Sequence, residues 1–581
     1  MKNNEYISFL KPQEEYYKKA PYRDFSSENT MYQLFRDINQ NNLEANAVGY
    51  MNHHFDYESI LSDVDKLANA LKEMGVKEND VVFVAMVTTP EVSKLLLAIN
   101  KIGAVSKWVD IRVKAKDLEH YINEHESKYV VVFDMLLPMV EEVIDNTDVK
   151  KVIVTSPVDS LGTPIKIGYR LKALKEGTYH AFPSDKRFVK FNDLLKKGSG
   201  KDLLKPVSFD KEKPSLIVQS SGTTGKAKAI VHTDFTINES VNKLSHADLP
   251  FDFGNRLLVT VPPWVAYGLI NSYYLSIIHG MEAVLCPKVD ADTVFNSLGN
   301  FDVSFAAPLH YRYLVDKIDK CPDLSNIKAL ITGGDKITVE ELKQIKQILG
   351  TKGFDGEIIN GYGNNECLGA VTANFMKHNC LGSVGVPLYG NTVAAFDENN
   401  QELKINEEGE LCFKTTTMFK EYVGLEKETD EVKQLHDDNC YWIHSKDLGY
   451  VSKEGYVFVT GRLCQVINRR AFKIAPETIE AVIKTHYAVD NCVVVGVYSK
   501  EEVSVPYAHI VFKEEYLYKV NYLIEEIKAL CEANLKDYEV PVYYDSLESI
   551  PYTPNNKVDF KLLEKIGNEA VLNKGKVLIK K

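Results

Sequence analysis

The sequence predicts an α/β protein whose large N-terminal part is built from layered, mostly parallel sheets covered by helices. Three observations carry that prediction: helix- and strand-type segments alternate through the first third, the chain is far too long for one small module, and its texture changes after about residue 460. At 581 residues it is several times the ~150 residues of an ordinary domain. With 45% hydrophobic and 26% charged residues it has the balance of a chain that buries a core.

Between Tyr57 and Met74 the apolar residues Ile60, Val64, Leu67 and Leu71 recur at steps of three or four, and Gly75 follows where a helix would stop. A short apolar run over 81–87 reads as a strand. Residues 90–102 read as a second helix closed by Gly103, and a helix over 116–126 and strands over 129–133 and 152–155 continue the alternation. Such a series predicts a parallel sheet with helical crossovers. Between residues 156 and 200, Pro157, Gly162, Pro164, Gly168 and Pro183 interrupt the pattern, so a loop-rich region is expected. Ile165, Ile167, Tyr169 and Leu171 stand there among Lys166, Arg170, Lys172 and Lys175. That basic, partly apolar piece is expected to be a solvated loop, with weak contact to a membrane surface as the alternative. After residue 460, short strands (493–497, 508–512), a helix (522–535), a Pro/Asn loop and a last helix predict a small α+β domain over 461–581, following an N-terminal domain over 1–460.

Charge and cysteine usage exclude several function classes. Sixty-nine basic against eighty-one acidic side chains give a net charge of -12, which argues against nucleic acid held by bulk phosphate attraction. The nine cysteines contain no CxxC pair, so neither a zinc ribbon nor a disulfide-stapled secreted scaffold is expected. The start lacks a signal-type apolar segment and no apolar run reaches the ~18 residues of a transmembrane helix, so a cytoplasmic protein is expected.

The strongest chemical signal is LIVQSSGTTGKAK over residues 216–228, an apolar strand running into a loop of Ser220, Ser221, Gly222, Thr223, Thr224 and Gly225 closed by lysines. Glycines let backbone N–H groups approach phosphate oxygens, hydroxyls donate further bonds, and Lys228 supplies charge. A Walker A loop is excluded, because it would need glycine at Ser220 and a hydroxyl residue at Ala227.

This loop resembles the signature loop of the adenylate-forming superfamily, which includes acyl-CoA and aryl-CoA synthetases, peptide-synthetase adenylation domains and firefly luciferase. The other family motifs follow in order between about residues 30 and 565. ITGGD (331–335) is similar to the Gly-Gly-acid turn near adenine, here Gly333, Gly334 and Asp335. NGYGNNE (360–366) resembles the Tyr-Gly-x-Thr-Glu motif. The resemblance implies that Tyr362 stacks on adenine, that Glu366 helps hold Mg²⁺, and that Asn360, Gly361, Gly363 and Asn365 line the nucleotide. Asp447 in HSKDLG (444–449) matches the aspartate that grips the ribose hydroxyls, and Arg462 matches the arginine beside it. Residues 463–480 resemble the hinge and the loop after it, with Cys464 at the hinge and Arg469, Arg470, Ala471 and Lys473 facing coenzyme A. PYTPNNK (551–557) resembles the loop carrying the adenylating lysine, here Lys557. Taken alone, Tyr362 reads as core packing, Glu366 as a solvated acid and Lys557 as a solubilising charge; their order and spacing carry the assignment.

The resemblance implies a two-step reaction in one site used twice. ATP and a carboxylic acid give an acyl-adenylate and pyrophosphate, with Lys557, Glu366, Thr223 and Lys228 stabilising charge, and a thiol then displaces AMP after a small mobile C-terminal lid rotates. Coenzyme A is the expected thiol, with a carrier-protein phosphopantetheine as the alternative and a catalytically silent nucleotide-binding regulator as a rival of another class. VPPWVAYG (261–268) resembles the segment bordering the acyl pocket. Val265 stands where amino-acid-activating relatives place an aspartate, so an apolar monocarboxylic acid, fatty or otherwise, is expected in a slot lined by Trp264, Val265, Tyr267, Gly268, Ala306, Pro308 and Leu368. The sequence departs from the family at Asn365, Cys464, Asn468, Ala471 and Asn556. Asn365 is expected to keep a phosphate hydrogen bond, and Ala471 crowds the path of a pantetheine arm.

Overall fold

The computed structural model describes residues 5–18, 25–220, 227–288, 292–335, 337–469, 472–499, 503–553 and 558–572. Two large sheets form the N-terminal part. One has the strand order Phe188–Lys190, Lys151–Thr155, Tyr129–Phe133, Val81–Ala85, Val105–Trp108, Pro214–Gln219 and Ala229–Thr233, parallel except for the last pair. In the other, the neighbouring strands Glu357–Asn364, Ala329–Thr332, Val303–Ala306, Arg256–Val259, Glu282–Leu285 and Asn46–Tyr50 are parallel, with antiparallel strands at both edges. The helix Tyr57–Met74 starts where the Asp56 side chain accepts from the Ser59 N–H and ends at Gly75 in the left-handed region (φ 105°). Every residue of the helix Glu91–Ile102 is buried. A helix buried all round accounts for its apolar run, and its Lys94 and Lys101 reach Asp63 and Asp65 at 2.9 and 2.7 Å.

A third, antiparallel sheet combines Thr392–Phe396, Gly409–Lys414, Lys433–Leu435, Tyr441–Val451 and Val457–Arg462. After the short 3₁₀ turn Leu463–Gln465 the chain enters a fourth sheet, made of Ile467–Arg469, Phe472–Ile474, Val489–Ser499, Val503–Phe512 and Tyr543–Ser546. The apolar clusters under this sheet contain only residues from Ile467 onward, so the C-terminal part is a smaller α+β body with a core of its own.

The loop expected between residues 156 and 200 is corrected. Thr163–Glu176 form a helix, with Pro164 in its first turn and Gly177 in the left-handed region after its last. Only Ala173 of that helix is buried, so its apolar spacing at Ile167, Leu171 and Leu174 does not face a core, and the prolines and glycines around it read as loop signals.

Candidate functional site

Parallel sheets bind ligands beyond the carboxyl ends of their strands. In the nine-stranded sheet, Ala306 pairs with Thr332 and Thr332 with Asn360, so the segments that follow leave three adjacent strand ends side by side. They carry Pro308, the turn Gly333–Gly334–Asp335 and the run from Gly361 to Glu366. Packing there is close. A Cβ on Gly333 would lie 3.0 Å from the Gly361 carbonyl and 3.9 Å from the Tyr267 hydroxyl, and Gly334 has φ 82°. A Cβ on Gly363 would meet the Gly369 carbonyl at 1.7 Å, which only glycine avoids.

The signature loop joins the antiparallel strands Pro214–Gln219 and Ala229–Thr233. Its mouth is closed by a reciprocal pair: Ser220 N–H donates to the Lys228 carbonyl at 2.9 Å, and Lys228 N–H donates to Ser220 Oγ at 2.9 Å. Ser221, Gly222, Thr223, Thr224 and Gly225 lie outside the described residues. Lys228 Nζ sits 4.7 Å over the ring of Tyr422, whose hydroxyl donates to Glu366 Oε1 at 2.7 Å. One buried tyrosine thereby holds the loop cation and the carboxylate together.

Asn365 was expected to reach a phosphate. Its amide has two backbone partners, donating one N–H to the Gln219 carbonyl at 3.1 Å and accepting from Ala266 N–H at 3.3 Å, which leaves its second N–H for a ligand. His232 Nε2 lies 2.8 Å from the Asn365 carbonyl. These contacts pin the strand before the signature loop, the acyl-side segment and the Glu366 turn to one another. Burial lowers the His232 pKa to about 4, so the ring is neutral at pH 7 and donates Nε2–H to that carbonyl.

At the other end of this run, Tyr362 donates its hydroxyl to Asp447 Oδ2, and Arg462 Nε lies 3.0 Å from Asp447 Oδ1. Burial, then the Asp447 charge, raise the Tyr362 pKa well above 10, which keeps it a hydroxyl donor. The ring meets Phe413 edge-on at 5.7 Å. Asp447 is aimed by the bulged pairing of its strand. Glu410 Oε1 accepts from the backbone N–H of Lys446 (φ 61°) at 2.9 Å, and Glu410 Oε2 lies 2.9 Å from His444 Nδ1. Asn360 donates to the Ser383 carbonyl at 3.3 Å.

The expected acyl residues divide into two groups. Ala306, Pro308 and Leu368 are buried in packed surroundings, and Leu368 adopts φ 60°. Trp264 lies under the Arg112 guanidinium at 5.8 Å, while Val265 is half-buried. Gly268 is required by packing, since a Cβ would come 2.2 Å from the Pro262 carbonyl. Tyr267 opens a stretch of π-helix, Tyr267–Tyr274, and meets Phe305 edge-on at 5.4 Å. Its hydroxyl is buried without a hydrogen-bond partner among the described residues, beside the Gly333 turn. A buried hydroxyl without a partner beside a strand-end turn is a group that a ligand or an ordered water would satisfy.

Comparison with known proteins decides the family. The AMP-binding enzyme family matches residues 34–423, well over half of the chain, and the AMP-binding enzyme C-terminal domain matches 478–557. The chain belongs to the AMP-binding enzymes. It is 25% identical over 523 residues to a long-chain-fatty-acid–CoA ligase of Bacillus subtilis, covering 89% of this chain and 90% of that one. It is 26% identical over 535 residues to a 2-succinylbenzoate–CoA ligase of Bacillus pumilus, covering 90% and 96%. Among solved structures, an anthranilate CoA ligase in complex with anthranoyl-AMP shares the fold with a TM-score of 0.79 at 18% identity over 94% of this chain and 99% of that one. ATP-bound MatB from Rhodopseudomonas palustris does so with 0.78 at 18% identity, over 92% and 98%.

In this AMP-binding enzyme the C-terminal motif residues are placed in part. Lys557, Arg470 and Ala471 lie outside the described residues, as do the side chains of Cys464, Asn468 and Lys473. Arg469 Nη1 donates to the carbonyls of Tyr538 and Val540 at 3.0 and 3.2 Å, so this guanidinium fastens the hairpin to its own domain. Sequence reasoning missed Tyr422, His232 and Glu410. Each acts through a partner distant in sequence, and no local motif marks it. No helix among the described residues is long and apolar enough to cross a membrane.

Proposed function

We propose that this AMP-binding enzyme is an ATP-dependent carboxylic acid:CoA ligase, acting on an apolar monocarboxylic acid by way of an acyl-adenylate. The observation that carries the reading is the joining of Lys228 and Glu366 through Tyr422, with Tyr362, four residues before Glu366, donating to Asp447. A carboxylate is a poor acyl donor because its leaving group would be oxide. Attack of a carboxylate oxygen on the α-phosphorus of ATP forms the acyl–phosphate bond, breaks the bond to pyrophosphate and presses two anions together. Ser220 and Lys228 hold the mouth of the loop that binds phosphate, and Asp447 with Arg462 orients the ribose. The residues fit Mg²⁺, since Glu366 offers a hard carboxylate oxygen beside that loop and Tyr422 fixes its orientation. When bound, the ion neutralises phosphate charge. A thiolate of coenzyme A then attacks the acyl carbon and AMP departs with the bonding electrons.

The lysine of the adenylating step is Lys557, on a C-terminal lid spanning 461–581 that turns near Cys464 between half-reactions. Val265 and Trp264 favour an acid with an uncharged body. The test separates the half-reactions. Lys557→Ala should lower acid-dependent pyrophosphate release at least ~10²-fold, the scale of removing one electrostatic donor, while still converting supplied acyl-adenylate and coenzyme A to thioester. Equal loss of both steps would contradict the assignment. Full thioester formation with a carrier protein and none with free coenzyme A would replace coenzyme A as the acceptor.

A further inference from the structure

The helix Thr163–Glu176 serves nothing in the mechanism, and its surface is unusual. Only Ala173 is buried, and Tyr169 reaches inward to donate its hydroxyl to Asp134 Oδ2 at 3.3 Å. On a helix of 3.6 residues per turn, Ile167, Leu171 and Leu174 fall on the face opposite that docked side. They are 55%, 61% and 52% exposed, so three large aliphatic side chains form a continuous stripe toward solvent. Met135, from the turn whose Asp134 meets Tyr169, is 65% exposed as well.

The charges around the stripe are of one sign. Arg170 borders it on one side and Lys175 on the other, with Lys166 and Lys172 farther round, against Glu176 as the one acidic residue of the helix. Lys172 lies 3.9 Å from that glutamate, and the Arg170 guanidinium rests 5.1 Å over the Tyr179 ring. The chain as a whole carries a net charge of -12, so this basic strip opposes the sign of its own molecule. Exposed aliphatics flanked by cations suit a surface that is apolar inside and anionic at its face. A nucleic acid gives no partner for the stripe, and an acidic protein surface leaves the aliphatics in water.

We propose that the Ile167–Leu171–Leu174 face of this helix docks the enzyme on anionic lipid bilayers, the aliphatic side chains entering the acyl boundary and Arg170 and Lys175 lying at headgroup level. None of the residues placed at the candidate functional site belongs to this helix, and the proposal does not depend on which acid the enzyme activates. The full chain is tested by co-sedimentation with vesicles of phosphatidylcholine alone and of phosphatidylcholine with phosphatidylglycerol. Binding is expected to the anionic vesicles, weakened by salt, and to be at least tenfold weaker to the neutral ones. Ile167→Ser/Leu171→Ser/Leu174→Ser should abolish it, and Arg170→Glu/Lys175→Glu should do so while leaving the stripe intact. Both variants change exposed side chains and should keep the parent's circular dichroism and thermal midpoint. No binding by the parent chain, or equal binding by parent and variants, overturns the proposal. A parent that is dimeric without vesicles, and monomeric when the stripe is changed to serine, overturns it in favour of a second copy of the chain.

Discussion

Tyr422 shows how one side chain organises charge. Its ring carries Lys228 and its hydroxyl fixes Glu366, so Tyr422→Phe should keep the cation in place and release the carboxylate. A hydrogen bond to a charged group contributes ~1.5–3 kcal/mol, which predicts a fall of about tenfold or more in pyrophosphate release and a higher Mg²⁺ requirement. Titrating the rate with Mg²⁺ checks it, and an unchanged Mg²⁺ dependence would remove Tyr422 from the site. His232 makes a prediction in pH. Its folded pKa, about 4, lies below the ordinary 6.5, so between those values the unfolded chain binds more protons. Its neutral form is fully compatible with folding above pH 6.5, and stability falls as pH drops toward 4, by about 3 kcal/mol across the window. Denaturant titrations from pH 4.5 to 7 should show that slope in the parent and a flatter one in His232→Gln, which still donates to the Asn365 carbonyl. Neither residue was legible in the sequence. Tyr422 stands 56 residues beyond Glu366 with no motif around it, and the pairing exists only because the strands and loops fold back on each other. Asn365 was legible as a motif position, but the use of its amide was not. An asparagine amide has two N–H donors and an acceptor oxygen, and which backbone groups take one donor and the oxygen is decided by the fold.

Glycines and helix ends decide at the scale of elements. Gly363 lies where Glu357–Asn364 turns into Gly369–Ala373, and its missing Cβ makes room for the Gly369 carbonyl. Gly363→Ala should lower stability by roughly 2–4 kcal/mol, because the added atom must displace backbone. Gly168 is the opposite case: it lies inside the helix Thr163–Glu176 with nothing within 4 Å of an added Cβ. Gly168→Ala should stabilise by about 0.5–1 kcal/mol, the helix-interior difference between the two residues. Paired thermal melts check both signs. The same helix shows where sequence reading stops. The helices 57–74 and 91–102 were readable from their apolar spacing and closing glycines. Thr163–Glu176 carries apolar residues at helical spacing but turns them outward, and Pro164 and Gly168 within it read as loop signals, so the rule that apolar spacing marks a core-facing helix does not find it.

At the scale of the molecule, the proposed reaction draws on two bodies. The N-terminal sheets were legible because parallel βα alternation leaves a repeating pattern, and the order of the motifs along the chain named the residues of the candidate site. How those motifs meet was not legible, since the crevice is assembled from adjacent strand ends, a third sheet that carries Asp447, and Tyr422. The C-terminal body has a core of its own and follows the turn Leu463–Gln465, and the proposed rotation would move it as a unit about that turn. Its proposed part in catalysis is that Lys557 acts before coenzyme A arrives. The most direct test is acid-dependent exchange of labelled pyrophosphate into ATP over a panel of apolar acids, with coenzyme A left out. The account predicts exchange with at least one acid, dependent on Mg²⁺ and abolished in Lys557→Ala. Exchange with no acid, or exchange only when coenzyme A is present, would contradict an acyl-adenylate formed ahead of the thioester.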